Sequence, residues 1–178
     1  MIGAIAGDII GSGHEFVGTK TRQFEFFEGG SNFTDDTVLT VAVAEWLLRG
    51  SDLVDLLHGY HARFPNAGWG SWFDTWASSR CRDPYDSYGN GSAMRVSAVG
   101  WAFNTLDAVL DGARPSAEAT HNHPEGIRVA QATAASISIA PTGGTAADIR
   151  GCFSVPIAGY DLDRTADDIL AHNWFDVT

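Results

Sequence analysis

The stretch DTVLTVAVAEWLLR, residues 36–49, decides the fold class of this chain. Its apolar residues recur at the spacing of one helical face, which carries Val38, Leu39, Val43, Trp46 and Leu47. Thr34 or Asp35 can cap the start of such a helix, and Gly50 can end it. The stretch therefore predicts an amphipathic α-helix with one face packed in a core.

Segments of the same helical period follow towards the carboxyl end. Ser51-Asp52 can cap a second helix that runs toward Phe64 and stops at Pro65. The remaining predicted helices cover residues 71–79, 93–103, 104–110, a segment that begins near Pro124, and 165–171. Only residues 24–27 offer a short strand-like run. We therefore predict an all-α fold in which residues 1–178 form a single domain.

The composition favours a folded protein with an acidic surface. Of the 178 residues, 44% are hydrophobic and 19% are charged, which argues against disorder. Eleven basic residues against 22 acidic residues give a net charge of −11. Because this charge repels phosphate backbones, it argues against electrostatic binding of nucleic acid. An anionic ligand would need local compensation from helix amino termini or from bound divalent cations.

Cysteine usage and hydropathy indicate a reduced, soluble environment. Cys81 and Cys152 offer neither metal-ligand spacing nor a disulfide framework. No basic segment precedes an apolar stretch at the amino terminus, and no apolar run approaches the ~18 residues of a membrane span. We therefore expect a cytoplasmic protein without a membrane partner.

Four consecutive residues, Thr34-Asp35-Asp36-Thr37, form the strongest local signal for chemistry. Adjacent carboxylates and a hydroxyl are hard oxygen donors, and these suit Mg²⁺ or Mn²⁺ better than Zn²⁺. The alternative is purely structural, because Asp and Thr are preferred helix caps and acidic residues complement the helix dipole. Taken alone, the tetrapeptide favours the capping interpretation.

Three further segments combine small residues with polar groups. In residues 7–15, GDIIGSGHE, Glu15 lies beside a Gly-Ser-Gly run, but this motif is weak alone because tight helix packing with a solvated Glu15 also explains it. In residues 87–95, SYGNGSAMR, a glycine-rich turn leads into a helix and can hold a diphosphate, whereas Asn-Gly is also a common turn. In residues 120–126, THNHPEG, the histidines fit loop-shaping hydrogen bonds better than metal ligation.

Together and in this order, these segments resemble the ADP-ribosylglycohydrolase family. The motifs GDIIGS…E, FTDDT, SYGNGSAMR, THNHPEG and GYDLDRT cover nearly the whole chain. The resemblance implies an all-α hydrolase that cleaves the ribosyl C1 bond of ADP-ribosylated proteins or small conjugates. It also implies Mg²⁺ or Mn²⁺, usually at two sites, and it favours metal binding over capping alone at residues 34–36.

The resemblance assigns roles to individual positions. Thr34, Asp35 and Asp36 would be the amino-terminal metal ligands, and Glu15, Asp35 and Asp36 would be the catalytic carboxylates. The residues implied to contact ADP-ribose lie in the two later motifs and are Ser87, Tyr88, Gly89, Asn90, Gly91, Met94 and His121. Tyr88 can stack on a base or a ribose.

One family feature is absent from the sequence. Members carry a second metal motif, Asp-x-Asp-Thr, near the carboxyl end, whereas Asp161-Leu162-Asp163 is followed here by Arg164 and lies in the separate GYDLDRT motif. The resemblance therefore predicts a carboxyl-terminally shortened member. Three explanations stay open: a truncated or split gene product with a complementing carboxyl-terminal fragment, a homo-oligomer whose partner supplies ligands, or a non-catalytic ADP-ribose-binding or structural relative that has lost hydrolysis.

Overall fold

The computed structural model describes residues 1–15, 21, 23–27, 29–153 and 165. Its helices are α1 (Ile2–Ser12), α2 (Asp35–Arg49), α3 (Leu53–Arg63), α4 (Ser71–Ser78), α5 (Gly91–Met94), α6 (Ser97–Ala102), α7 (Leu106–Glu118), α8 (Pro124–Ile139) and α9 (Ala146–Phe153). These described residues contain no strand, including the run at 24–27. The all-α prediction is confirmed.

Helix α2 has the ends that its sequence predicts. The side chain of Thr34 accepts a hydrogen bond from the backbone N–H of Asp36 at 3.3 Å, which caps the first turn. At the other end, Gly50 adopts a left-handed conformation with φ of 66°, and its N–H donates to the Trp46 carbonyl. Between these caps, the predicted apolar face buries Val38, Leu39 and Val43.

The core lies between α2 and the later helices. Leu57 from α3 and Val99 from α6 are fully buried in the same cluster as Leu39 and Val43. Helix α8 packs against α5, α6 and α7. An added Cβ at Gly100 would lie 2.7 Å from the Ala134 carbonyl oxygen, so α6 and α8 approach closely only because this position is glycine. The glycine of α6 thus permits the close packing of these two helices.

Several helix boundaries differ from the prediction. The helix expected over 93–103 divides into α5 and α6 with a turn between them, and the helix expected over 104–110 continues to Glu118. Pro115 lies inside that longer helix, which continues because Val109, Ala113 and Ala117 are buried on one face. Tertiary packing therefore overrides the local preference of proline for helix ends.

Helix α9 lies where no helix was predicted, whereas α1 agrees with the helix-packing alternative for residues 7–15. The expected helix at 165–171 falls outside the described residues. None of the helices within the described ranges combines the length and the apolar character required to cross a membrane.

Candidate functional site

Asp8 fixes the amino terminus of α2 from the side of α1. Its carboxylate accepts hydrogen bonds from the backbone N–H of Thr34 at 2.8 Å and from the Thr34 hydroxyl at 2.6 Å. It also accepts from the backbone N–H of Thr37 at 3.2 Å and from the Thr37 hydroxyl. One carboxylate therefore satisfies two N–H groups at the start of α2 that have no partner within the helix.

Two half-buried carboxylates, Asp35 and Asp36, occupy the first turn of α2. Burial, helped by the charges of Asp36, Glu15 and Asp8, raises the pKa of Asp35 to about 7. Burial, helped by Asp8 and Glu15, raises the pKa of Asp36 to about 6. The negative charges at this point are therefore poorly compensated by the protein itself, and a cation would stabilise them.

The ligand atoms at the start of α2 are of the type that a hard divalent cation prefers, but they are too few to fill its coordination shell. Asp35 and Asp36 supply carboxylate oxygens, which Mg²⁺ and Mn²⁺ prefer. The Thr34 hydroxyl is already hydrogen-bonded to Asp8 and to the Asp36 backbone. Across the described residues, no group of three or more His, Cys, Asp or Glu side chains is placed to hold a metal ion. Asp35 and Asp36 would thus need water, substrate or further protein groups to complete a coordination shell.

A cavity of about 790 Å³ opens beside the first turns of α2. Asp35 and Leu39 of α2 form one part of its wall, and the start of α4 forms another. All of the residues for which the family resemblance implied contact with ADP-ribose lie in this wall, namely Ser87, Tyr88, Gly89, Asn90, Gly91, Met94 and His121. The fold therefore brings two motifs that are distant in sequence to one cavity with Asp35.

The remaining predicted site residues lie outside this wall. The described residues that line the cavity do not include Thr34, Asp36 or Glu15. Glu15 is exposed, yet its charge contributes to the raised pKa of both Asp35 and Asp36. The structure thus places Glu15 near the acidic pair rather than against the glycine-rich loop.

Close packing against His121 and α8 shapes the glycine-rich loop at residues 87–91. An added Cβ at Gly126 would lie 2.8 Å from the Ser87 carbonyl oxygen and 2.9 Å from the His121 Cβ. An added Cβ at Gly91 would lie 2.9 Å from the His121 ring. The Ser92 hydroxyl donates to the Gly126 carbonyl at 2.7 Å, which ties the loop to α8. Glycine at these two positions allows the loop to lie directly on the histidine.

A buried arginine lies beneath the loop. Arg95 is fully buried, and its Nη2 donates to the Ser116 carbonyl at 2.6 Å and to the Thr120 hydroxyl at 2.9 Å. Its Nε and Nη1 atoms have no hydrogen-bond partner among the described residues. Burial lowers the pKa of Arg95 to about 10, so the guanidinium keeps its charge at neutral pH. Arg95 also lines the cavity, which gives this part of the wall a positive charge.

Two exposed aromatic side chains stand at the cavity. Trp72 is 74% exposed and Tyr88 is 75% exposed, and both belong to its wall. The Tyr88 ring lies 5.4 Å from the ring of His123, which caps α8. Exposed aromatic faces of this kind can stack on a planar ligand group.

A family model for ADP-ribosylglycohydrolase matches residues 1–172. The chain belongs to the ADP-ribosylglycohydrolase family. This match confirms the resemblance that the ordered sequence motifs indicate.

The chain is similar to several vertebrate proteins named ADP-ribosylhydrolase ARH3. It is 28% identical to the Homo sapiens protein over 207 aligned positions, which cover 96% of this chain and 56% of the human protein. It is 31% identical to the Bos taurus protein over 156 positions, covering 68% of this chain and 43% of that protein. The chain therefore spans about half the length of these relatives.

Four residues shape the site of this ADP-ribosylglycohydrolase family member without a role predicted from the sequence. Asp8, Arg95 and Thr120 lie inside quoted motifs, yet none was given a role. Trp72 lies in a helix that was predicted only as an aromatic-rich element. In the sequence, Asp8 is marked by its position as an acidic residue directly after Gly7. Arg95 is marked as a basic residue among small and apolar neighbours.

Proposed function

We propose that this chain binds ADP-ribose in the cavity beside α2 and hydrolyses the ribosyl C1 bond that joins ADP-ribose to a protein or a small conjugate. The observation that carries the proposal is the convergence on one cavity of Asp35, the loop at 87–91 and His121. The family membership and the names of the ARH3 relatives support the same ligand.

The wall of the cavity suggests how ADP-ribose would lie. Tyr88 and Trp72 offer exposed aromatic faces for the base or a ribose. The loop at 87–91 and the positive charge of Arg95 favour the diphosphate, despite the net charge of −11. With the base and the diphosphate placed in this way, the ribose that carries the scissile bond would lie near Asp35.

The acidic groups at the start of α2 would serve the bond cleavage. We propose that Asp35 and Asp36, with the Thr34 hydroxyl nearby, hold Mg²⁺ or Mn²⁺. The chemistry supplied by such an ion when bound is orientation of ribose hydroxyls and acidification of a water molecule. Glu15, exposed beside the pair, is proposed to accept or return a proton at the water that attacks C1.

Calorimetry of ADP-ribose binding, with and without Mg²⁺, tests the ligand assignment directly. We expect binding in the presence of Mg²⁺ and weaker binding after Asp36→Asn, whereas Asp111→Asn, at an exposed position of α7, should bind as the wild type does. Absence of binding under every condition would exclude ADP-ribose as the ligand.

A second candidate function is binding of ADP-ribose without hydrolysis. It is favoured by the absence, among the described residues, of three metal-ligating side chains grouped together. Release of free ADP-ribose from an ADP-ribosylated peptide distinguishes the two candidates. Hydrolysis that depends on Asp36 would exclude the binding-only function, and binding without release would exclude the hydrolase.

The further ligands that a metal centre needs could come from a second polypeptide. We propose that a second copy or a complementing carboxyl-terminal fragment supplies them. Sedimentation measurements with and without Mn²⁺ would reveal assembly of two copies, and a monomer that hydrolyses at full rate would exclude both sources.

A further inference from the structure

His121 is held from behind by two buried residues. Its Nδ1 lies 2.7 Å from the hydroxyl oxygen of Thr120, and the same oxygen accepts a hydrogen bond from Nη2 of Arg95 at 2.9 Å. Thr120 and Arg95 are both 0% exposed, and His121 is 4% exposed. The three side chains therefore form a chain of hydrogen bonds that ends at the cavity.

The direction of these hydrogen bonds follows from the inventory of donors. A guanidinium has only N–H donors, so Arg95 must donate to the Thr120 oxygen. Thr120 is fully buried, so its hydroxyl hydrogen also needs an acceptor, and the hydrogen bonds of the described residues offer it His121 Nδ1.

We propose that Arg95, acting through Thr120, is a positioning residue that fixes His121 as the neutral tautomer with its proton on Nε2. His121 then presents an N–H donor to an oxygen atom of the ligand in the cavity. The identity of that oxygen, a phosphate oxygen of ADP-ribose, rests on the proposed function, whereas the tautomer does not.

The position of Nε2 agrees with this role. An added Cβ at Gly91 would lie 2.9 Å from both Cε1 and Nε2 of His121, and one at Gly89 would lie 4.0 Å from Nε2. The Nε2 edge of the ring therefore faces the glycine-rich loop that lines the cavity, while the Nδ1 edge faces Thr120. The loop and the Nε2–H group lie on the same wall, where a ligand oxygen can contact both.

The charge of the surroundings selects an anionic oxygen as the acceptor. Burial, helped by the charge of Arg95, lowers the pKa of His121 to about 3, so the ring is neutral at pH 7. The Arg95 charge has no carboxylate partner among the ion pairs of the described residues. A phosphate oxygen would gain a hydrogen bond from His121 and attraction from Arg95 in a poorly solvated site.

Long-range ¹H–¹⁵N correlation spectra of the histidine rings in the unliganded protein test the tautomer at pH 7. We expect the His121 ring to show protonation at Nε2 alone. Thr120→Val removes the hydroxyl but keeps the shape, and it should convert His121 to a mixture of tautomers. Thr120→Ser keeps the hydroxyl and should restore the wild-type pattern. A wild-type ring protonated at Nδ1, or an unchanged ring in Thr120→Val, would overturn the proposal.

Arg95→Met tests the origin of the effect and should also give a mixture of tautomers. Because Arg95 is buried, this variant can fail to fold, and the Thr120 pair then decides the matter on its own. A folded Arg95→Met protein with the wild-type tautomer would remove Arg95 from the proposal.

The ligand is tested separately by titration with ADP-ribose. If about half of the His121 rings carry the proton on Nε2 in Thr120→Val, this variant should bind ADP-ribose roughly twofold more weakly, with recovery in Thr120→Ser. If the wild type shows the Nε2 tautomer but binds no ADP-ribose, the proposed function fails while the positioning role stands. Equal affinity of all three proteins would exclude His121 as a ligand donor.

Discussion

The carboxylate of Asp8 accepts two hydrogen bonds from Thr34, one from its backbone N–H at 2.8 Å and one from its hydroxyl at 2.6 Å. Because Thr34 also caps α2, Asp8 sets the position of the helix turn that carries Asp35 and Asp36. The motif that contains Asp8 thus supports the motif at residues 34–37 through direct contacts. Asp8 and Thr34 are 26 residues apart in sequence.

Asp8→Ala should destabilise the fold. The change leaves the half-buried donors of Thr34 and Thr37 without their acceptor, which costs roughly 1–3 kcal/mol in the free energy of unfolding. Urea denaturation followed by circular dichroism measures the loss. Asp111→Ala, at an exposed position of α7, is the matched control and should change stability by less than about 0.5 kcal/mol. Equal effects of the two variants would contradict the anchoring role of Asp8.

The acidic pair should make stability depend on pH. The pKa values of Asp35 and Asp36 are raised to about 7 and about 6, so the folded protein binds protons there more tightly than the unfolded chain does. The stabilisation from this pair is complete below pH ~4 and is lost as pH rises through 6 to 7. Raising the pH from 5 to 8 should therefore lower the Tm of the wild type relative to the Tm of Asp35→Asn.

Binding of a divalent ion by Asp35 and Asp36 should depend on pH. Mg²⁺ or Mn²⁺ binds ionised carboxylates, so either ion should raise the Tm of the wild type more at pH 8 than at pH 5. Asp35→Asn should remove most of this increase, whereas Asp111→Asn should retain it. An increase in Tm that is independent of pH, or equal in all three proteins, would argue against an ion at Asp35.

Gly126→Ala should disturb the cavity loop. The new Cβ would lie 2.8 Å from the Ser87 carbonyl oxygen and 3.0 Å from the His121 carbonyl oxygen, and backbone atoms cannot move as freely as a side-chain end. We expect a loss of roughly 1–3 kcal/mol in stability and weaker ADP-ribose binding. Gly59→Ala is the matched control, since nothing lies within 4 Å of its Cβ. That change in helix α3 should stabilise the protein by about 0.5–1 kcal/mol.

The elements that the sequence predicts well are those whose signals are local. Helix α2 has a Thr cap, an apolar face and a glycine after its last turn, all within 17 consecutive residues from Thr34 to Gly50. Helix α8 starts at Pro124 for an equally local reason, because proline suits the first helical position. Caps and stops of this kind act within one turn, so they can be found without knowledge of the tertiary fold.

The parts of the site that sequence motifs leave undetermined depend on distant contacts. Thr120 and Arg95 are 25 residues apart, and neither has a sequence pattern that predicts their hydrogen bond. Likewise, only the packing of α1 against α2 brings Asp8 to Thr37. The loop residues and His121 stood out because their glycines and histidines are unusual locally, whereas a single arginine at a helix end or a single aspartate within a helix is not.

Pro115→Ala tests how tertiary packing maintains α7 against the preference of its own sequence. Pro115 lies inside the helix, where it lacks the N–H that would bond the carbonyl four residues earlier, and it is exposed. Alanine restores that donor without touching the buried face, so we expect a gain of roughly 1–3 kcal/mol in the free energy of unfolding, reduced by the greater freedom of the unfolded chain. Pro124→Ala, at the first position of α8 where proline costs nothing, is the matched control and should be neutral or slightly destabilising. If both variants shift the urea midpoint equally, Pro115 does not strain α7, and the buried residues of that helix do not have to compensate for it.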